Sequence, residues 1–223
     1  MVAKWCSISI WRTHDSKCSA IAGAGVLVMF EEPNRSPARP EPVYSATARF
    51  FHWIVAVLVA VMAVTGIAMV YRGKDLNIWD ALTNNLYSTH KAVGLMVLAL
   101  VVLRLLYRIM AGSPPDEPTI TPFQRIASHI VHGLLYVLLI AIPIGGWLGV
   151  SLFPALDVFG VFTIPALAAP DKALSEQVLW VHGLAAYILL GLVAMHIAAA
   201  LYHYFIRGDG VLARMLPSLR REI

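Results

Sequence analysis

Histidines inside apolar segments are the residues of this chain most able to carry chemistry. Three of its eight histidines, His182, His196 and His203, lie in the segment Val178–Ile206, which contains no Asp, Glu, Lys or Arg. At about 1.5 Å per residue, a helix over this segment is long enough to cross a bilayer. Because a histidine is costly to place inside a membrane, each one found there is a candidate functional residue.

The spacing of these histidines indicates what they can hold. His196 follows His182 by fourteen residues, which at about 100° per residue returns it to within about 40° of the same helix face, about 21 Å further along the axis. Two imidazoles on one face, near opposite sides of a membrane, suit two stacked cofactors. The other helices must then supply partners at matching depths.

Three further apolar spans precede this one. The second of them is interrupted by Lys91 and Arg104, whose long side chains can extend toward opposite membrane interfaces. We expect the four spans at about Phe50–Tyr71, Tyr87–Tyr107, Ile126–Leu152 and Val178–Ile206. The histidines near the starts of the first three are His52, His90, His129 and His132.

The composition is that of a polytopic membrane protein. Of the 223 residues, 59% are hydrophobic and 13% charged, and the mean hydropathy is +0.71. The charged share is about half that of an ordinary soluble chain. The net charge of +4 does not indicate nucleic-acid binding, because the basic residues lie between the spans, where they orient a membrane protein.

The distribution of these basic residues predicts the topology. Counted from Met29, ten Lys and Arg residues flank one side of the predicted spans and four flank the other. The side richer in Lys and Arg faces the cytoplasm. We therefore predict an all-α, integral membrane four-helix bundle with both termini inside.

The regions outside the spans divide the chain into three parts. We interpret residues 1–43 as an N-terminal extension that is either disordered or the product of a start assigned too early, with Met29 as the alternative first residue. Residues 44–217 form the four-span core, and residues 218–223 a cytoplasmic tail. Cys6 and Cys18 lie in the extension, and no C-x-x-C-H motif for covalent haem attachment occurs.

With this topology each histidine acquires a depth. His90 and His182 begin spans that start at the outer face, so they form one expected pair. His52 lies near the inner face and can pair with either His196 or His203, between which depth does not choose. A b-type haem held by two imidazoles from two helices of a bundle needs this arrangement. The alternative is that the four imidazoles bind zinc or copper, but the two pairs are too far apart to form one compact site.

Motifs in three of the spans and in the segment that follows the last span, taken in chain order, resemble the bacterial cytochrome b561 family. The resemblance covers residues 44–217 and implies two haem b groups, each containing iron, with His52, His90, His182 and His196 as the ligands. Among the candidates for the inner pair, it therefore selects His196. It also implies a bacterial inner membrane protein that moves single electrons between a quinone and a second redox partner, with superoxide oxidation at the outer face as one activity. The motifs are RFFHW (Arg49–Trp53), HKAVG (His90–Gly94), VVLRLLYRI (Val101–Ile109), VHGLAAY (Val181–Tyr187), MHIAAALYHYF (Met195–Phe205) and RMLP (Arg214–Pro217).

Several residues near the expected haems remain open to two interpretations. Arg104 and Arg108 either anchor the inner end of the second span or pair with propionates of the inner haem, which suits the bidentate guanidinium. His129 and His132 either contact propionates or quinone, or are solvated at the interface. His203 either binds a quinone and passes it a proton or caps the fourth helix.

The remaining observations concern the two ends of the electron path. Three cations near the outer face, Arg72, Lys74 and Lys91, are expected to attract an anionic donor. Gly94 and Gly183, beside expected ligands, either admit a flat ring or favour helix packing.

The function that these observations favour is transfer of electrons from superoxide, or another small donor, to ubiquinone. The alternative is a haem-bearing membrane anchor subunit of a dehydrogenase or hydrogenase. A metal transporter would need polar residues along a path through the spans, and these are scarce. The sequence does not determine the oligomeric state.

Overall fold

The computed structural model describes residues 43–219 and two short strands before them, and it divides the chain into two compact units, residues 1–40 and 41–223. In the first unit, β1 (Ala22–Gly23) pairs with β2 (Val26–Leu27) in antiparallel register. The expectations for residues 1–43 and for the end of the tail lie almost wholly outside the described residues. The second unit contains all the helices discussed below.

Four long helices run through the second unit. Each is long and apolar enough to cross a membrane, which confirms the predicted all-α, four-helix membrane bundle. A π-helical turn, Tyr71–Asp75, extends α1, and a second one, His203–Arg207, extends α4. The helices are α1 (Ala46–Val70), α2 (Ala81–Ala111), α3 (Pro122–Leu152) and α4 (Lys172–Tyr202).

Helices α2, α3 and α4 begin four to six residues before the predicted spans, and capping explains the difference. The side chains of Asp80, Thr121 and Asp171 each accept a hydrogen bond from a backbone N–H in the first turn of their helix. Such caps satisfy amide groups that have no partner inside the helix. Polar first turns can therefore be helical although they lie outside the apolar run that defines the span.

The loop between α3 and α4 contains a small hairpin, which the sequence did not predict. Strand β3 (Asp157–Val158) pairs with β4 (Phe162–Thr163) in antiparallel register. Ser88 at the start of α2 accepts a hydrogen bond from the backbone N–H of Phe159 at 3.1 Å. The hairpin therefore lies against the end of the bundle at which α2 begins.

The helices pack as two hairpins joined through α2 and α3. Helix α1 packs along α2, α3 along α4, and α2 along α3, whereas α4 makes no extensive contact with α1 or α2. The buried core is apolar and includes Val55, Val97, Val101, Leu139 and Leu189. Between α4 and the α1–α2 pair, the structure thus leaves room that side chains do not fill by close helix packing.

One end of the bundle is closed by the segment that follows α4, residues 208–219, which we term the inner strap. This is the end at which α1 begins, and the distribution of Lys and Arg predicts that it faces the cytoplasm. The backbone carbonyl of Met215 accepts a hydrogen bond from the indole of Trp53 at 3.3 Å. Arg214 is buried and donates to the carboxylate of Glu117, in the α2–α3 connector, at 2.9 Å. The inner strap therefore joins α1 to the connector.

We expect the Glu117→Ala variant to be much less stable than the Asp116→Ala variant. The side chains of Glu117 and Arg214 are 4% and 9% exposed, and removing one partner of such a buried pair costs about 3–5 kcal/mol because the other charge is left uncompensated. Asp116 forms an exposed pair with Arg125, which is worth about 0–1 kcal/mol. The free energy of unfolding in detergent, measured for both variants, checks this. An equal decrease in the free energy of unfolding in both variants would show that the Glu117–Arg214 pair does not stabilise the protein more than an exposed ion pair does.

Candidate functional site

Four of the predicted histidines lie in two pairs at two depths of the bundle. His90 of α2 faces His182 of α4, and His52 of α1 faces His196 of α4; the ring centroids are 6.2 Å apart in both pairs. Within residues 43–219, no hydrogen bond joins the two rings of either pair. Metal–imidazole bonds are about 2 Å long, and a ring nitrogen lies about 1 Å from its ring centre, so two imidazoles on opposite sides of one metal ion have centroids about 6 Å apart. Both pairs have that separation.

The hydrogen bonds of the outer pair leave the ligating nitrogens free. The Nδ1–H of His182 donates to the backbone carbonyl of Ile142 at 2.9 Å. The Thr65 hydroxyl donates to the carbonyl of Val61 at 2.8 Å, so its oxygen can accept from Nδ1 of His90, 3.3 Å away. Both imidazoles then have an unprotonated Nε2, the form in which histidine binds a metal while its other nitrogen is held by a hydrogen bond.

An orphaned nitrogen in the outer pair fits the same chemistry. Nε2 of His90 is buried and has no hydrogen-bond partner among the described residues. A buried polar atom without a partner is costly. A metal ion coordinated by Nε2 of His90 would remove that cost, so the donor set of the outer pair fits a haem iron. In the inner pair the orphaned atom is Nδ1 of His52, and the fit there is carried by the 6.2 Å separation of the two ring centroids.

The surroundings of the outer pair fit a flat apolar group. A cavity of about 80 Å³ lies between His90 and His182, and its walls are almost entirely apolar. A Cβ atom at Gly146 would lie 2.9 Å from Cε1 of His182, and one at Gly66 would lie 3.1 Å from Cε1 of His90. These two glycines allow the rings their positions.

The glycines singled out from the sequence have weaker roles. A Cβ at Gly94 would meet a methyl group of Met62 at 3.3 Å, and one at Gly183 would meet nothing within 4 Å. Neither glycine is required by a histidine. The relevant positions, Gly66 and Gly146, are not adjacent to a ligand in sequence, so they could not be found from spacing along the chain.

The inner pair has a third imidazole beside it. The ring of His132 lies 5.1 Å from that of His196, nearly perpendicular to it. Nδ1–H of His132 donates to the backbone carbonyl of Ser128 at 2.6 Å, which fixes the ring inside the bundle. His129, by contrast, is exposed and lies 3.4 Å from Asp116. The two histidines of α3, which sequence reasoning treated together, therefore have different environments.

Two arginines lie at the inner end without an acidic partner. Arg104 stacks over the ring of Tyr136, 5.4 Å from its centroid, and Arg108 lines the same small cleft, with Tyr107 and Met215. Neither guanidinium is within ion-pairing distance of a carboxylate of residues 43–219. Both are thus available to an anionic group.

The cations predicted at the outer face are largely engaged. Arg72 forms an ion pair with Asp80 at 2.6 Å. The backbone N–H of Thr83, followed by its side chain and the charge of Arg72, lowers the pKa of the Asp80 carboxyl, so the pair stays ionised near neutral pH. The ammonium of Lys91 donates to the backbone carbonyls of Ala155 and Asp157 in the hairpin loop. Lys91, next to His90 in the chain, is thus fixed in place.

His203 is not part of the inner pair. The rings that contact His52 belong to Trp53 and His196, whereas Nδ1 of His203 lies 2.6 Å from the carboxylate of Asp209. Sequence reasoning missed Asp209, because the turn that brings it back to His203 is not visible as a motif.

A compact zinc or copper site is not present in the part of the chain that the structure describes. No group of three or more His, Cys, Asp or Glu side chains there is arranged to hold one metal ion. Structural zinc sites have four protein ligands and catalytic ones three. Two separate two-histidine sites suit haem iron, whose other ligands come from the porphyrin.

Comparison with known proteins gives consistent matches over the whole helical unit. A family model described as prokaryotic cytochrome b561 matches residues 43–218. The chain is 33% identical over 174 residues to "Cytochrome b561 homolog 2" of Escherichia coli (strain K12), covering 78% of this chain and 90% of that protein. It is 29% identical over 181 residues to "Cytochrome b561 homolog 1" of the same organism, covering 78% and 97%.

A further relative has a name that specifies a reaction. The chain is 25% identical over 181 residues to the Yersinia pestis protein named "Probable superoxide oxidase CybB", covering 79% of this chain and 97% of that one. The family match includes all four helices and both histidine pairs.

Proposed function

Since this chain belongs to the prokaryotic cytochrome b561 family, we propose that it carries electrons across the bacterial inner membrane through two b-type haems. The observation that carries this proposal is the arrangement of four imidazoles in two pairs, at two depths, with ring centroids 6.2 Å apart. His90 and His182 would hold the outer haem, and His52 and His196 would hold the inner one. A haem held by two histidines would supply one-electron transfer instead of oxygen binding.

The protein side chains around these sites orient and shield the haems. Thr65 and the carbonyl of Ile142 hold the outer imidazoles in the tautomer that leaves Nε2 free. The apolar wall of the outer cavity excludes water. At the inner end, Arg104 and Arg108 would bind the haem propionates, a role supported by the absence of an acidic partner for either guanidinium among the described residues.

The two ends of the electron path have different substrates. At the outer end, Lys91 lies beside His90 and gives a local positive charge for superoxide or another small anionic donor. The name of the Yersinia pestis relative supports superoxide. At the inner end, ubiquinone accepts the electrons. Two superoxide ions become two molecules of oxygen, and the two electrons, with two protons from the inner side, convert ubiquinone to ubiquinol.

We expect a pulse of superoxide to reduce the haems of the purified holoprotein and a short-chain ubiquinone to reoxidise them. Superoxide dismutase, added beforehand, should abolish the reduction. Raising the salt concentration should slow it only a few-fold, since screening acts on a local charge. The outer side has four Lys and Arg residues (72, 74, 91 and 172) against five Asp and Glu residues (75, 80, 157, 171 and 176), so the surface as a whole does not attract an anion.

The same preparation tests the haem content. A reduced-minus-oxidised spectrum with pyridine-haemochrome quantitation should give two b-type haems per chain. If the haems are present but respond neither to superoxide nor to quinone, this proposal is wrong. The anchor-subunit alternative would then be favoured, and it requires a large catalytic partner that co-purifies in mild detergent.

A further inference from the structure

Asp209 is a buried carboxylate at the inner end of the bundle. Its side chain is 3% exposed, and one oxygen lies 2.6 Å from Nδ1 of His203, whose side chain is 12% exposed. Aspartate is rarely buried unless it is paired. Asp209 follows His196 by thirteen residues, and the electron path proposed above does not require it.

The backbone after α4 is shaped to bring this carboxylate to the imidazole. The π-helical turn His203–Arg207 ends at Gly208, which has φ 65° in the left-handed region. A glycine adopts that conformation without strain and commonly ends a helix in this way. The chain therefore turns back, and Asp209 lies against the first residue of the π-helical turn. π-helical turns occur often at functional sites.

The carboxylate is surrounded by donors that hold it in place. The guanidinium of Arg207 lies 3.6 Å away, the hydroxyl of Thr119 donates to it at 3.4 Å, and the backbone N–H of Val211 donates to its other oxygen at 3.3 Å. Arg207 also donates to the backbone carbonyl of Thr119 at 2.7 Å. Asp209 and Arg207 are the charged groups that these contacts place around His203; the α2–α3 connector contributes the uncharged Thr119.

From this geometry we infer that the His203–Asp209 pair delivers the protons that quinone reduction consumes at the inner end. The Asp209 carboxylate accepts the Nδ1–H of the imidazole, which leaves Nε2 as the nitrogen that exchanges protons. When Nε2 takes up a proton from the aqueous side, the carboxylate stabilises the imidazolium until the proton passes to the quinone oxygen. His203 is the proton donor and Asp209 its positioning residue.

This inference rests on the proposed function, because it assumes that quinone is the acceptor. The stoichiometry gives it a specific consequence. The two electrons held by the two haems of one chain, with two protons, convert one quinone to quinol, and each proton passes through His203. An oxidant that accepts electrons without protons, such as ferricyanide, would not need the pair.

The experiment uses the purified holoprotein with its haems reduced by a stoichiometric amount of dithionite. Stopped-flow mixing with a short-chain ubiquinone or with ferricyanide then follows haem reoxidation. We expect Asp209→Asn to slow reoxidation by quinone about 100-fold, the lower end of the contribution of general acid–base catalysis. Reoxidation by ferricyanide should be unchanged, and added imidazole should restore part of the quinone rate in His203→Ala.

Asp116→Asn is the matched control. Asp116 also faces a histidine at the inner end, His129, but that pair is exposed. The control should reoxidise with quinone at the wild-type rate. Haem content, measured in each variant, separates a loss of structure from a loss of proton delivery.

The results that would overturn the inference differ from the result that would overturn the proposed function. Equal slowing with quinone and ferricyanide in Asp209→Asn, or a wild-type quinone rate in both Asp209→Asn and His203→Ala, would overturn the inference. If Asp209→Asn loses its haems, the imidazole rescue of His203→Ala decides, and absence of rescue counts against the inference. Failure of the wild-type protein to be reoxidised by quinone would instead overturn the proposed function.

Discussion

Replacing His182 with alanine is expected to leave one haem per chain where the wild-type protein has two. A haem held by two imidazoles loses one of its two protein ligands in this variant, and the remaining histidine alone should not retain the haem through purification. His90→Ala should have the same effect, because both residues bind the outer haem. Either change in the inner pair, His52→Ala or His196→Ala, should also leave one haem, which in these variants is the outer one.

The double variants make this prediction sharper. Removing both members of one pair should cost no more haem than removing one, whereas removing one member of each pair should leave none. Effects that act through a single shared site are non-additive, and those at separate sites add. Haem per protein, measured by pyridine haemochrome and amino-acid analysis, distinguishes the two patterns.

His129 provides the control for this series. Its imidazole is exposed and faces Asp116, so His129→Ala should retain both haems. His203 provides the opposite test, since it is the other histidine that the sequence offers as a partner for His52. Loss of the inner haem in His203→Ala with retention in His196→Ala would contradict the assignment.

The four helices and the meeting of the outer histidine pair could be predicted because they follow from position along the chain. For the inner pair, depth left His196 and His203 both open as partners of His52, and only the family resemblance selected His196. A span has a length set by the bilayer, successive spans alternate in direction, and a residue near the end of a span therefore has a known depth. His90 and His182 both lie near outer ends, and the structure brings them together. No knowledge of side-chain packing is needed for this step.

What the sequence could not supply depends on the rotation of each helix about its own axis and on side-chain conformation. Thr65 is one of several hydroxyl residues in the spans, and only the rotation of α1 against α2 places it at Nδ1 of His90. The ion pair of Arg72 with Asp80 depends on the turn between two helices. The approach of Asp209 to His203 likewise requires the left-handed conformation of Gly208. A single glycine in the sequence is not enough to predict that conformation.

Gly145 and Gly146 are neighbours in the chain, but the rotation of α3 places them in different surroundings. Their alanine variants should therefore behave very differently. Both glycines lie in α3, and alanine favours the helix at either position by about 1 kcal/mol. A Cβ at Gly145 would meet nothing within 4 Å, whereas one at Gly146 would lie 2.9 Å from Cε1 and 3.1 Å from Nδ1 of His182. Contacts as short as 2.9 Å force the imidazole to move.

The imidazole has little freedom to move without losing its ligand geometry. Its Nδ1–H is bound to the carbonyl of Ile142, one turn before Gly146 on the same helix. A shift away from the new methyl group therefore breaks the hydrogen bond that fixes the tautomer and the ring orientation. Loss of such a partner commonly costs about 10- to 100-fold in metal affinity.

We accordingly expect Gly146→Ala to lose most of its outer haem during purification, while Gly145→Ala retains both haems. The inner haem should be unaffected in both variants, because His52 and His196 lie at the other depth of the bundle. Haem per protein measures the loss, and the reduced-minus-oxidised spectrum compared with that of His182→Ala identifies which haem is missing. Full haem content in Gly146→Ala, or equal loss in the two variants, would show that the close approach of α3 to His182 does not position the ligand.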